Sequence, residues 1–319
     1  MEATAFAAAA AVFGACVGSF LNVVVYRLQQ PDPADRSVLG RSFCPGCGTP
    51  IPWFKNVPVL GWLMLAGRAT CCGGRISIRY PFVELLTAAL FFALAWWPPY
   101  GAIFAADATV DPAAAAALTL HATFASMLIA LTFIDFDSQL LPDVLTKPGM
   151  VLGLVAGFWP GLAGVISPDE SVSPQLRSLL ASVLGLTVGG GVTWTVRALG
   201  SAVFRKEAMG FGDVKLMGMI GAFLGWQGAL LTLFLGCVFG AVVGVTIALR
   251  GSMQVRIPFG PYLAMGAVVS LFAGEQLVEL LFVAWPEWQR RNPSSVYLVL
   301  TIGVGALLTM LWLLRRARR

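Results

Sequence analysis

Two aspartates in separate apolar segments have the types and surroundings for acid–base chemistry. Asp135 lies in Phe133-Ile-Asp-Phe-Asp-Ser-Gln-Leu-Leu-Pro-Asp143, and Asp213 in Gly210-Phe-Gly-Asp-Val-Lys215. A carboxylate within a membrane segment costs roughly 2.5–3.5 kcal/mol at the helix centre, so it marks a functional candidate by default. Two of them can share a water: the ionised one takes its proton while the protonated one polarises a scissile carbonyl. A pair sharing one proton is the arrangement that like charges in close proximity favour. Gly210 and Gly212 flank Phe211 and let the backbone approach closely just ahead of Asp213. Lys215 can tune Asp213 or snorkel to the lipid headgroups, and snorkelling is the expectation.

Other catalytic arrangements lack their parts. His121 is the single histidine and no GxSxG elbow occurs, so an HExxH metal site and a Ser-His-Asp triad are both hard to build. The neighbouring acids have simpler roles. Asp143, directly before Val144, is expected to N-cap the next helix, and Asp137 to be a solvated junction residue. Asp135 is the deepest of the three, following an apolar run from Met127 broken only by Thr132. His121 reads as interfacial, Met217 and Met219 as packing, and Cys16 and Cys237 as small buried thiols. Glu84, just inside an apolar segment after Arg79-Tyr-Pro81, has no such simple reading.

The elements that position these groups must be membrane helices. The chain is 58% hydrophobic and 12% charged, against about 25% charged in an ordinary soluble domain. We expect an all-α, polytopic membrane helix bundle of about eight or nine transmembrane helices, with a small cytoplasmic cysteine-containing loop domain. Nine apolar segments are visible, near 4–26, 82–98, 117–134, 144–164, 178–199, 213–226, 228–249, 258–284 and 296–314. The first has no basic residue before its apolar run and reads as an anchor, not a cleaved signal.

Basic residues set the orientation. Arg27, Arg36, Arg41, Lys55, Arg68, Arg75 and Arg79 face only Asp32 and Asp35 in the first long loop, which by the positive-inside rule is cytoplasmic and leaves the N-terminus outside. Nine crossings then put the Arg315-to-Arg319 tail inside, and Arg290 and Arg291 are the minority vote. Both aspartates come out at the cytoplasmic ends of their segments. The net charge of +5 is thus a topology signal, and no nucleic-acid partner is expected.

The cytoplasmic loop carries four of the six cysteines. Cys44-Pro-Gly-Cys47 is a CxxC knuckle, and Cys71-Cys72 follows before Gly73-Gly74, a pattern open to a four-thiolate zinc ribbon or to a metal-free loop of reduced thiols. Adjacent cysteines reach one tetrahedral ion less easily than a CxxC turn does.

Five motifs in order carry a resemblance: Gly18-Ser-Phe-Leu-Asn-Val-Val-Val-Tyr-Arg27, the Cys44/Cys47 knuckle, Ile76-Ser-Ile-Arg-Tyr-Pro-Phe-Val-Glu84, Ile134-Asp135 running to Leu141-Pro-Asp143, and Gly210-Phe-Gly-Asp-Val-Lys-Leu216. With Phe259-Gly-Pro-Tyr-Leu263, the chain resembles the type IV prepilin peptidases (leader peptidase/N-methyltransferase, GxGD aspartyl proteases). The resemblance implies a bifunctional inner-membrane hydrolase and methyltransferase. It would cut the basic leader from type IV pilus prepilins, or type II secretion pseudopilins, after a glycine. It would then methylate the new amino group with S-adenosylmethionine.

It also implies that Asp135 and Asp213 are catalytic without any metal, and that Asn22, Arg27, Arg79, Tyr80 and Glu84 with the cysteine loop serve the methyltransferase half. Counted back from Ile76, one CxxC pair would fall on Ala69 and Cys72, so one thiol has moved to Cys71. The divisions expected are 1–26 (first helix), 27–80 (cysteine loop), 81–284 (protease core) and 285–319 (an added helix and basic tail), with Ser167 to Pro174 as an insertion. The competing class is a proton-coupled transporter, which would show inverted repeats and broken midplane helices that the sequence lacks.

Overall fold

The computed structural model describes residues 2–32, 36–97, 111–158, 173–207, 209–249 and 258–294, with 297, 301 and 305. Described residues form a helical bundle. Helix α1 spans Glu2–Leu28, α2 Leu60–Met64, α3 Arg79–Trp96, α4 Pro112–Ser138, α5 Asp143–Ala156, α6 Pro174–Phe204, α7 Phe211–Leu249 and α8 Gly260–Glu279. A π-turn at Leu280–Ala284 leads α8 into α9, Trp285–Arg291. Six stretches are long and apolar enough to cross a membrane, within α1, α3, α4, α6, α7 and the α8–α9 run, so this is a multi-span membrane protein. The expected segment at 296–314, the basic tail and most of the 167–174 insertion lie outside the described residues.

Local chemistry sets the helix ends. Asp111 and Ser173 cap α4 and α6 by accepting from the N–H groups of Ala113 and Leu176, each followed by a proline at the first helical position. Helix α4 stops where Gln139 turns left-handed (φ 53°) and donates its N–H to Asp135 O, which puts Asp135 in the last turn.

The expected sixth and seventh segments are one run, α7, interrupted at Gly225 (φ 71°, ψ 178°), a conformation open only to glycine. Carried straight, its 37-residue apolar span would be about 56 Å long against a hydrocarbon core of about 30 Å. Instead it folds back. A Cβ on Gly189 of α6 would meet both Met217 O (2.5 Å) and Ala229 Cβ (3.2 Å), two residues that an unbroken helix would hold about 18 Å apart. Gly185 likewise lies directly against Gly221, so small residues let α6 nest on the reversal. The second arm of α7 runs antiparallel to α8, with Ser270 Oγ donating to Gly228 O (3.2 Å).

The interior is apolar and aromatic at its centre, where Phe124 and Phe223 stack 4.5 Å apart among Leu128, Leu131, Met217 and Met219. Three expectations change here. His121 is buried, not interfacial, whereas Cys16 and Cys237 are exposed on the outside of the bundle. Lipid-facing and core-facing positions are both apolar, so hydropathy cannot tell one from the other.

Candidate active site

Asp135 ends α4 and Asp213 opens α7, and both are buried, 5% and 8% exposed. The contact of Gly212 with Leu141 brings their two segments together at one end of the bundle. Asp135 is oriented by a third element. The N–H of Gly260, first residue of α8, donates to Asp135 Oδ2 (3.0 Å), and a Cβ on Gly260 would stand 2.6 Å from that oxygen. A helix N-terminus is a natural seat for a carboxylate. Among the described residues nothing hydrogen-bonds the Asp213 side chain; its backbone N–H closes the turn onto Gly210 O (3.3 Å). Gly212 packs on Leu141, where a Cβ would meet Leu141 Cβ at 2.9 Å, so its small size joins the two aspartate-bearing segments. Arg197 of α6 steadies the preceding loop through Met209 O (3.0 Å) and Glu207 (3.2 Å).

The acids beside the pair are ion-paired, contrary to the sequence expectation. Asp137 accepts from Arg79 Nη1 (2.6 Å) and Gln29 Nε2 (3.1 Å), while Arg79 also reaches Phe133 O (3.2 Å) and covers the Phe133 ring. Arg79 therefore clamps α3 to the end of α4. Asp143 is not an N-cap: Pro142 holds that position without a side-chain bond, and Asp143 bonds Lys215 and Lys147 (2.8 Å). Those two ammonium groups hold its carboxyl below the ordinary carboxylate range. Lys215 thus ties α7 to α5 instead of snorkelling. Asp143–Lys147 is a local i,i+4 pair, but Asp137–Arg79 and Asp143–Lys215 have no sequence signal, because each joins residues far apart in the chain.

The cysteine loop is two copies of one turn. Cys44 N–H donates to Thr49 O (2.9 Å) and Gly48 N–H to Cys44 O (2.8 Å); Ala69 N–H donates to Gly74 O (2.8 Å) and Gly73 N–H to Ala69 O (2.8 Å). Bridges Phe43 to Pro50 and Arg68 to Arg75 close them, and Gly48 and Gly73 share φ near +70° (71° and 69°). Ala69 thus occupies the place of Cys44, Cys72 that of Cys47, and the displaced thiol Cys71 that of Gly46. All four sulfurs nevertheless lie within 4.8 Å of one another, with Cys44 to Cys72 at 3.8 Å and Cys47 to Cys71 at 3.4 Å. Zn–S bonds of about 2.3 Å require tetrahedral sulfurs about 3.8 Å apart, so the thiols fit the ion. Adjacent cysteines prove no obstacle, since they come from different positions of the turn. Hydrogen bonds to Thr49 hold the Cys47 thiol down at about 6, and its neighbour Cys71 is pushed up to about 12 by the Cys47 contact.

Comparison with known sequences decides the family. Residues 12–97 match the bacterial peptidase A24 N-terminal domain, and residues 122–245 the type IV leader peptidase family. The chain belongs to the type IV leader peptidase family. Similar proteins include a prepilin leader peptidase/N-methyltransferase of Pseudomonas putida, 39% identical over 298 residues covering 87% of this chain and 94% of the relative. Those of Aeromonas salmonicida (35% over 294 residues, 83% and 90%) and Pseudomonas aeruginosa (37% over 295 residues, 86% and 92%) carry the same name. No solved structure matches. The transporter reading finds no support.

Between the cysteine turns and the ends of α1 and α3, this leader peptidase family member has a chamber of about 650 Å³ lined by Ser19, Tyr26, Trp62, Tyr80 and Glu84. Asn22 and Arg27 build its frame. Asn22 Nδ2 donates to Tyr80 O (3.1 Å), and Arg27 gathers the loop through Ser37 O (2.7 Å), Leu39 O (2.8 Å) and Arg41 O (2.9 Å). Glu84, 7% exposed, accepts Val59 N–H at 2.7 Å. Val59 itself holds φ 60°, rare for a β-branched residue. Volume, aromatic lining and a buried acid suit an adenosyl ligand carrying positive charge. Sequence reasoning pointed to Glu84, but Val59 and Gly260 were missed; a hydrophobic loop residue and a helix-start glycine give no chemical signal alone.

Proposed function

We propose that this protein removes the leader of type IV prepilins or pseudopilins after a glycine and then N-methylates the new first residue. The observation that carries this is a pair of buried aspartates whose segments join at the Leu141–Gly212 contact, with Asp135 held by Gly260 N–H. The substrate's own apolar N-terminal helix lies in the bilayer of the inner membrane, its leader junction at the cytoplasmic face beside the aspartates. Arg79, Gln29 and the cysteine loop stand at that same end, and the loop's excess of basic residues supports placing that end inside and the N-terminus outside. The 27–80 loop then serves methyl transfer and the 81–284 core serves cleavage.

In this mechanism Asp135 keeps the charge, because the α8 N-terminus donates to it, and takes the proton of the shared water. Asp213, without such a donor, carries the pair's proton and hands a hydrogen bond to the glycine carbonyl. The hydroxide equivalent adds to that carbonyl, and the tetrahedral intermediate collapses as the leaving amine is protonated. Lys215, by binding Asp143, holds α7 in register against α5, and Arg79 does the same for α3 and α4.

Cys44, Cys47, Cys71 and Cys72 would hold a structural zinc ion that clips the loop's two turns together. S-adenosylmethionine supplies an electrophilic methyl group. Mass spectrometry of a prepilin substrate incubated with the purified protein and S-adenosylmethionine tests the reading. Leader loss with a further methyl mass is expected, and neither in Asp135→Asn or Asp213→Asn. An unchanged substrate that a control peptidase cuts would refute it.

A further inference from the structure

The chamber holds a carboxylate with no cation. Glu84 is buried, and no basic side chain lies within ion-pair distance of it among the described residues. Of the nearby cations, Arg27 is committed to three loop carbonyls, Arg79 to Asp137 and Lys55 to the Thr70 hydroxyl (2.9 Å), while Arg75, which also lines the chamber, makes no ion pair with Glu84. Only Val59 N–H and the Ser19 side chain bond it. Burying an acid beside an open cavity, with the backbone at Val59 held at φ 60° to meet it, is costly unless a ligand returns the energy.

We propose that this chamber is the methyl-donor site and that Glu84 is the anion facing the onium centre of the transfer. The ligand class is an adenosyl sulfonium, with the aromatic rings of Tyr26, Trp62 and Tyr80 around it and Glu84 opposite its charge. The second onium is the substrate's freshly released N-terminal ammonium. That group loses one proton through Glu84 to water, which leaves Glu84 a carboxylate again. The neutral nitrogen then forms its bond to the methyl carbon as the carbon–sulfur bond breaks, its electron pair leaving on sulfur. Positive charge passes from sulfur to nitrogen beside the carboxylate throughout, so the anion is useful before and after transfer. The proposal rests on the methyltransferase half of the reading above.

The test uses the full chain in lipid nanodiscs. Binding of S-adenosylmethionine and of its uncharged thioether product, S-adenosylhomocysteine, is measured by calorimetry for the wild type, Glu84→Gln and Ser19→Phe. Cleavage of a prepilin peptide, read in parallel, reports an intact fold. Glutamine keeps the acceptor for Val59 N–H but removes the charge. If Glu84 faces the sulfonium, Glu84→Gln loses about tenfold in affinity for the sulfonium and little for the thioether. If it faces the ammonium, donor affinity holds while methylation of a pre-cleaved peptide falls at least a hundredfold. In both cases Ser19→Phe, which fills the chamber, abolishes donor binding while leaders are still removed. The proposal is overturned if a methylating wild type is matched by Glu84→Gln in binding and in transfer, or if Ser19→Phe binds the donor normally. A wild type that cleaves but neither binds the donor nor methylates would instead sink the methyltransferase reading itself.

Discussion

Replacing Gly260 by alanine probes the orientation of the dyad without touching either aspartate. The added Cβ would stand 2.6 Å from Asp135 Oδ2 and 3.1 Å from its Cγ, whereas carbon–oxygen contacts ordinarily sit at about 3.3–3.6 Å. The carboxylate must therefore retreat by about 0.7–1.0 Å. Helix α4 cannot give, because Leu131 and Ile134 are 1% and 2% exposed in the core, so the movement falls on the Asp135 side chain. A misplacement of about 1 Å costs on the order of a hundredfold in rate. Alanine in the first turn of a helix is no worse than glycine for stability, and Gly260 does not adopt positive φ, so folding should survive. We expect kcat for leader removal to fall about a hundredfold with KM little changed, while methylation of a pre-cleaved peptide, which does not pass the dyad, continues. Quantitative mass spectrometry of both products reads the two rates separately. Cleavage within threefold of wild type, or equal loss of both activities, would refute the argument that α8 positions Asp135.

Two further outcomes follow from the same geometry. Cys71→Ala should lower zinc content per chain measured by atomic emission, and adding Ala69→Cys should restore it, because Ala69 sits at the turn position of Cys44. Failure of the double variant to regain metal would show that the two turns are not equivalent. Lys147 and Lys215 hold the Asp143 carboxyl below its ordinary 3.8, so the α5–α7 tether is present above that value and lost as pH falls through the lowered one. Thermal melts of wild type and Asp143→Asn should accordingly differ at pH 5 to 7 and converge only well below 3.8; convergence at pH 5 would contradict the pairing.

The helical class, the family and the two aspartates that the fold buries at one end of the bundle were legible from one dimension. Each depends on local pattern: apolar runs too long for anything but membrane helices, and short motifs such as Gly210-Phe-Gly-Asp213 whose residue types imply their chemistry. The break within α7 was legible too, as the division between the expected segments 213–226 and 228–249. Even the displaced thiol could be counted from Ile76, although its consequence could not. Only the folded turns bring the Cys71 sulfur within reach of Cys47 (3.4 Å), by placing it where the first turn has Gly46.

What the sequence by itself determined, then, is the helical class, the family and where the candidate acids lie along the chain; what the tertiary structure decided is which partners they meet. Asp137 with Arg79, Asp143 with Lys215, and Asp135 with Gly260 N–H all join separate helices. So does the seat of Glu84 against Val59. The same limit explains His121, Cys16 and Cys237: in a bilayer both faces of a helix are apolar, so inside and outside separate only when helices pack. A carboxylate in such a segment announces itself by its cost, but the donor that orients it comes from a distant backbone N–H whose residue type carries no signal.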